Sequence, residues 1–407
     1  YRSMCVSSSE AKDQGFYEIL EKVQNFYYDS FPNKIAYKRP VSVKEIRQKF
    51  RIYDATPAAK KNFTDKSREL LKEITELNID RRKLSQRESK ALSQVQHVLK
   101  YGLGYTYGVN YYTGDYMLPP NLWCEWFPIC DIGHDLSESL RYFKPDKVED
   151  LEVLRDRLIT RGIPLEYMAR EYGGEVQKAF IQYIENLKYG VSAGMVPPIE
   201  ACKAGINGLT SRYKYIAHNG EQGVFNESYS KQIMNATFLS RFNLTEIRQW
   251  QEKYGKSVNE SLQEFVLEYV GKPINNLFRY LREEHMLHCV PSTVSSGLAS
   301  LPLSYVYNNG TADTTKPTTK RLPTGEVLDG KKTYERLIGS FTTNNMTPDA
   351  IYELGLEMLN KLYPETVELA KKATGKSENE NDTAKMPGRT VLSGGKLYRG
   401  GLLMLQW

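Results

Sequence analysis

The residues with most scope for chemistry in this sequence are its five histidines and five cysteines. His285 and His288 stand three apart in Glu283-Glu284-His285-Met286-Leu287-His288-Cys289, a spacing that lets two imidazoles share a helix face and grip a divalent cation. Pro291 marks a helix end close by, where paired histidines more often serve as surface or capping residues. The pair is therefore only a weak metal candidate. His97, His134 and His218 stand singly, and no histidine is followed by Glu. Gly190-Val191-Ser192-Ala193-Gly194 has the Gly-x-Ser-x-Gly form but follows a helical pattern and not a strand, so it is no nucleophile elbow, and no glycine-rich loop after a strand offers a cradle for phosphate. No catalytic residue is assigned and no cofactor is expected.

Cys124 and Cys130 bracket Glu-Trp-Phe-Pro-Ile, a loop short enough to close as a local disulfide. Cys202 and Cys289 remain for a second bridge, which leaves Cys5 over; buried free thiols are the alternative. Asn-x-Ser/Thr sequons occur at Asn62, Asn226, Asn235, Asn243, Asn259, Asn309, Asn345 and Asn381. Chance would supply about three in a chain of this composition, so the excess points to a secreted, extracellular glycoprotein. A further concentration of chemistry is aromatic: Tyr101, Tyr105, Tyr107, Tyr111, Tyr112, Tyr116, Trp123, Trp126 and Phe127 crowd a turn-rich stretch. Such side chains suit a ligand or partner surface, with Tyr111, Tyr112, Trp123 and Trp126 as the contact candidates. They equally suit a plug for a core that short loops cannot fill with aliphatics, and that use is favoured.

These residues need a scaffold, and its type is legible. With 407 residues, 40% hydrophobic and 26% charged, the chain has material for more than one core. The net charge of +6 comes from basic residues interspersed with acidic ones. A solvated surface follows, not a phosphate-tracking stripe, and no nucleic-acid partner is expected. No stretch reaches the ~18 to 20 uninterrupted apolar residues that a spanning helix needs, so no membrane span is expected. Ile19, Leu20, Val23, Phe26 and Tyr27 trace one face of a helix ended by Pro32. Residues 43–100 read as a helical hairpin through Leu70, Leu71, Ile74 and Leu77, broken near Asn78 and Asp80.

Helical spacing returns at 148–158, at 166–187, and from Leu262 through Met286 to Pro291. Residues 291–330 are rich in Ser, Thr, Gly and Pro and predict loop, with at most a short strand at 303–307. Thr347 is a natural N-cap, Pro348 suits the first turn, and Ile351, Leu354, Met358, Leu359 and Leu362 predict a buried face running to about residue 372. The fold class is mainly α, a large helical assembly with long irregular loops and at most short strands. Its regions are an N-terminal helical part (1–100), an aromatic Gly/Pro-rich loop region (101–140), a helical scaffold (141–372) and a polar linker and tail (373–407).

Three blocks carry a resemblance. Residues 151–209 hold a long amphipathic helix, Tyr189-Gly190, Gly194 and Pro197-Pro198; Leu322-Pro323-Thr324-Gly325 precedes Gly330 and Tyr334; and Thr342-Thr343 leads to Met346-Thr347-Pro348-Asp349, Leu354 and Gly355. In this order the blocks resemble the N-terminal half of a family catalogued as a domain of unknown function, whose complete members resemble helical zinc metallopeptidases. The resemblance covers about residues 140–370, and Tyr334 joins the contact candidates through it. Complete members carry a His-Glu-x-x-His-like zinc helix downstream of the Thr-Pro block, and this sequence holds none, so the family's zinc ligands are not carried over. The expectation is a secreted, non-catalytic relative acting in binding or assembly through a protein partner or self-association. One alternative is one chain of a split zinc peptidase completed by a second chain. The other is a small-molecule-binding helical protein.

Overall fold

The computed structural model of the chain describes residues 7–103, 116–118, 124, 127–158, 175–342 and 346–374. It is mainly α-helical, with one two-stranded antiparallel sheet. Among the described residues, no helix is long and apolar enough to cross a membrane.

The N-terminal helices are α1 (Ser9–Asp13), α2 (Phe16–Ser30), α3 (Val43–Lys49), α4 (Pro57–Glu76) and α5 (Gln86–His97). Four of them start on a side-chain cap: Ser8, Ser42, Thr56 and Ser85 each accept a hydrogen bond from a backbone N–H of the first turn. Asn78, with φ of 51°, turns the chain after α4 where the sequence predicts a break. Phe16, Ile19, Val23, Phe63, Leu70, Ile74 and Leu92 form a core of their own, with Leu20, Phe26 and Tyr27 packed against it. One carboxylate ties three of these helices together. Glu88 accepts from Tyr17 Oη at 2.5 Å and Ser8 N at 3.0 Å on one oxygen, and from Ser85 N at 2.8 Å and Ser85 Oγ at 2.7 Å on the other.

The main core gathers α6 (Pro128–Leu140), α7 (Val148–Leu158), α8 (Glu175–Ala193), α9 (Ile199–Arg212), α10 (Lys214–Asn219), α11 (Ser228–Ile233) and α12 (Leu244–Tyr254) around a long helical run. That run is α13 (Val258–Val266), a π turn (Leu267–Gly271), α14 (Lys272–Tyr280), a second π turn (Leu281–His285) and α15 (Met286–His288). Helix α6 corrects the reading of 101–140 as loop throughout. Pro128 opens it at a position that needs no N–H, and Ile129, Ile132, Leu136 and Leu140 are buried at helical spacing. The aromatic density of the preceding segment hid this period.

A turn of 3-10 helix, Pro32–Tyr37, docks on α6 through charge. Lys34 Nζ lies 2.6 Å from Asp131 Oδ2 and 2.8 Å from Asp135 Oδ1, and Asn33 Nδ2 donates to the other Asp135 oxygen at 2.5 Å. Burial pushes the Asp135 carboxyl up, and Lys34 and Asn33 pull it back.

Two glycines of the first resemblance block have plain structural reasons. A Cβ on Gly190 would sit 1.9 Å from the Tyr116 carbonyl oxygen. Gly194 has φ of +84°, and a Cβ there would come within 2.4 Å of the Leu303 carbonyl oxygen. The backbone of α8 thereby meets two other segments directly, and Leu303 N donates to Gly194 O at 2.9 Å.

The region 291–330 holds more strand than expected. β1 (Tyr305–Asn308) pairs antiparallel with β2 (Thr311–Pro317). Asn309 (φ 48°) and Gly310 (φ 77°) form the connection, the Asn-Gly pair that a two-residue turn with positive φ at both positions selects. Next come α16 (Gly330–Thr342), unforeseen in the sequence, and α17 (Pro348–Thr374). Thr347 caps α17 as expected, its Oγ1 accepting from Ala350 N at 3.1 Å. The buried face expected there is overturned: Leu354, Met358, Leu359 and Leu362 are 44%, 40%, 59% and 47% exposed, and Ile351 is only half-buried. No described element covers them. The pattern encodes amphipathicity, which does not by itself supply a covering partner.

Candidate functional site

The described residues place one metal-competent cluster together, and it differs from the pair that the sequence singles out. Cys202, His285 and Cys289 bring their Sγ and ring nitrogen atoms within 4.8 Å of one another, all three residues buried. Local structure explains the convergence. Cys202 sits in the first turn of α9, which starts after Pro197-Pro198. His285 closes the second π turn, and Cys289 is the first residue beyond α15. A π turn winds one extra residue into the helix, so it shifts the face presented by everything after it. A backbone strap fixes the two segments side by side: Ile199 N donates to Val290 O at 2.9 Å, and Val290 N to Pro197 O at 3.5 Å.

The sulfurs form a disulfide, Cys202–Cys289, with Cα atoms 6.6 Å apart. Cys124–Cys130 is bridged as well, at 5.6 Å. Both pairings proposed from spacing are thus present; Cys5 lies outside the described residues.

His285 is the residue that needs explaining. It is fully buried, and neither Nδ1 nor Nε2 has a hydrogen-bond partner among the described residues. Burial, helped by the nearby His288, pushes its pKa down to about 4, so the ring is neutral near pH 7. A neutral imidazole buried with no protein partner for either nitrogen gives up the hydrogen bonds it makes in the unfolded chain, at a cost of about 1–3 kcal/mol per group. The Tyr280 ring packs against it at 5.8 Å between centroids, an apolar contact that satisfies neither nitrogen.

His288 does not join it. That side chain is half-buried, with Nδ1 2.7 Å from the carbonyl oxygen of Tyr307 on β1. The i, i+3 pair therefore splits: one ring serves the hairpin and the other faces sulfur, with no acidic third donor in the cluster. Sequence reading missed Cys202 and Cys289 as partners of His285 because it had already used them as a disulfide. The available signal was His285 four residues before Cys289, one helical turn that stacks the two side chains.

Of the aromatic candidates, Tyr111, Tyr112, Trp123 and Trp126 lie outside the described residues. The described members of that stretch are packed: Tyr116 is 4% exposed among Met195, Leu301 and Leu303, and Phe127 lies against the main core. Tyr334 is half-buried on α16, which packs on the turn Leu298–Ser300. A groove elsewhere, between α2 and α4, is lined by Phe26, Phe31, Tyr53, Lys60 and Phe63.

Asn62, Asn226, Asn235, Asn243, Asn259 and Asn309 are all exposed, whereas Asn345 and Asn381 lie outside the described residues. Two of the exposed sequons end in a buried hydroxyl. Thr64 is fully buried, and Ser261 is 3% exposed and accepts from Trp250 Nε1 at 3.0 Å.

No curated protein and no solved structure matches the chain. A family model described as a bacterial protein of unknown function, DUF885, matches residues 42–387, a span that takes in Cys202, His285, Cys289 and the whole of α17. With most of its length matched in this way, the chain belongs to the DUF885 family.

Proposed function

We propose that this chain is a secreted glycoprotein whose helical body works in binding or assembly and not in catalysis, with α17 as the contact element. The observation that carries the reading is the exposure of α17. Tyr352, Leu354, Leu356, Met358, Leu359, Leu362, Tyr363 and Leu369 are each at least 38% exposed. At about 100° per residue these positions span about 200° of the helix circumference, twice the width of the stripe an ordinary surface helix buries. Glu353, Glu357, Asn360, Lys361 and Glu368 fill the remainder. A helix of that pattern is stable in water when polypeptide covers it on two sides, as in the interior of a helical bundle.

Two disulfides and six exposed sequon asparagines support an oxidising, glycosylating compartment. The resemblance of the three sequence blocks to helical zinc metallopeptidases, without a His-Glu-x-x-His helix in this sequence, supports a role in binding. The same exposed helix favours a second reading, in which a partner chain completes a split peptidase and brings the zinc helix with it.

Native mass spectrometry of the protein from its source tests both. A companion polypeptide or a second copy, lost on the double change Leu359→Glu and Leu362→Glu, is the expected result. A companion that binds stoichiometric zinc and cleaves peptides in the complex selects the second reading. A monomer whose hydrodynamic behaviour is the same with and without the changes refutes both.

A further inference from the structure

We propose that Cys202, His285 and Cys289 form a redox-gated zinc site, occupied by Zn²⁺ when the two cysteines are thiols and closed when they are a disulfide. The inference is independent of the function proposed for α17.

Three observations carry it. The first is the donor set, two sulfurs and one imidazole within 4.8 Å of one another, the Cys₂His combination that zinc takes in proteins. The second is His285 itself, fully buried with both ring nitrogens unpartnered. A disulfide gives that ring no acceptor for a strong hydrogen bond and no acid to pair with, whereas a metal ion gives it a bond. The third is the strap of Ile199, Val290 and Pro197, which holds the segments carrying Cys202 and Cys289 together through backbone hydrogen bonds that do not pass through sulfur. Reduction therefore leaves the donors in place.

Charge selects the ion. Two thiolates and neutral imidazole carry −2, so Zn²⁺ makes the buried site neutral, whereas Cu⁺ would leave one uncompensated negative charge in a dry core. Zinc also needs a fourth donor, which water or a neighbouring backbone carbonyl supplies; Pro197 O lies 3.6 Å from Cys202 Sγ.

The two states exclude each other because they use the same sulfur electrons. Loading the reduced site releases two protons as both thiols become zinc-bound thiolates. Closing it requires a small-molecule disulfide as oxidant. The two cysteine thiolates lose two electrons and form the Cys202–Cys289 bond, the oxidant takes up those electrons with two protons to give two thiols, and Zn²⁺ leaves.

The test uses the full chain carrying Cys5→Ser, Cys124→Ser and Cys130→Ser, so that the only remaining cysteines are Cys202 and Cys289. It is purified and held in a phosphine reductant without oxygen, then titrated with Zn²⁺ and with Co²⁺ as a spectroscopic stand-in. One equivalent should bind, with thiolate-to-cobalt charge transfer and the intense d–d bands of a tetrahedral ion. Zinc should slow alkylation of both thiols at least about 10-fold, and His285→Leu should weaken zinc binding at least about 100-fold. X-ray absorption fine structure of the zinc-loaded chain needs no change at His285 and should show two sulfur and at least one imidazole ligand. The proposal is overturned if the reduced chain binds no stoichiometric zinc, if the oxidised chain binds it equally well, or if the absorption data show no imidazole.

Discussion

The two disulfides should differ about twofold in what they contribute to stability, and the difference comes from chain length. Cys202 and Cys289 are 87 residues apart, whereas Cys124 and Cys130 are 6 apart. A cross-link restricts the unfolded chain by an amount that grows with the logarithm of the loop it closes. At 25 °C that term comes to about 4.6 kcal/mol for the long loop and about 2.2 kcal/mol for the short one. All four cysteines are at most 3% exposed, so the double changes Cys202→Ala with Cys289→Ala, and Cys124→Ala with Cys130→Ala, leave similar small voids that cancel in the comparison. Equilibrium urea unfolding followed by circular dichroism reads the two losses against the unchanged chain, and an unaltered dependence on urea shows that the compactness of the end states is preserved. The long-loop variant should lose about 2.4 kcal/mol more than the short-loop variant. Equal losses, or a larger loss from opening Cys124–Cys130, would refute the argument that loop length governs the effect.

Further expectations follow from charge and close contact. Asp135→Ala should cost about 3 kcal/mol of unfolding free energy because it leaves Lys34 with one carboxylate and Asn33 Nδ2 without its acceptor, and Asp131→Ala, at a more exposed position, should cost less; thermal unfolding of the two variants makes the comparison. Desolvation pushes the Glu88 carboxyl up, but hydrogen bonds from Tyr17, Ser85 and the backbone outweigh it and bring the pKa down to about 2. Because the folded value lies below the unfolded one of about 4.3, this contribution to stability is complete above about pH 5 and is lost as pH falls towards 2. Glu88→Gln should flatten the acid limb of a stability–pH curve between those limits, and an unchanged limb would assign acid sensitivity elsewhere. Gly190→Ala should destabilise by about 3 kcal/mol, since its new methyl meets a backbone carbonyl that no side-chain rotation can move away; a variant that melts with the parent would show that α8 and the Tyr116 segment have room to part.

How much of this was readable in the sequence depends on whether the signal was local. The cap at Thr347, and the apolar rows of α2 and α4, are written within a turn or two and predict those helices. The short loop between Cys124 and Cys130 favoured that disulfide, while Cys202 and Cys289 were left as the available second pair with buried free thiols as the alternative. Helix α6 was obscured because glycines, prolines and aromatics of the preceding segment dominate its neighbourhood, and the second strand of the hairpin because β2 is mostly Thr, Lys and Asp. Asn309-Gly310 was a sufficient turn signal that went unused. The burial of α17 could not be read from sequence at all: a helical period says that an apolar face exists, not what covers it. The site shows the same limit. His285 and Cys289 are one helical turn apart and visible together, but Cys202 reaches them across 83 residues of His285's upstream sequence.

The two π turns make the geometry at His285 a matter of counting. Each accommodates one surplus residue that the helix has absorbed without breaking. Straightening the turn at Leu267–Gly271 into α-helix with its surplus residue still in place would swing everything downstream round the axis by about 100°, carrying the His285 ring away from Cys202 with no change in the identity of either residue. In a chain so arranged, a change far along the helix that alters how one turn winds can erase the pocket as completely as replacing the histidine.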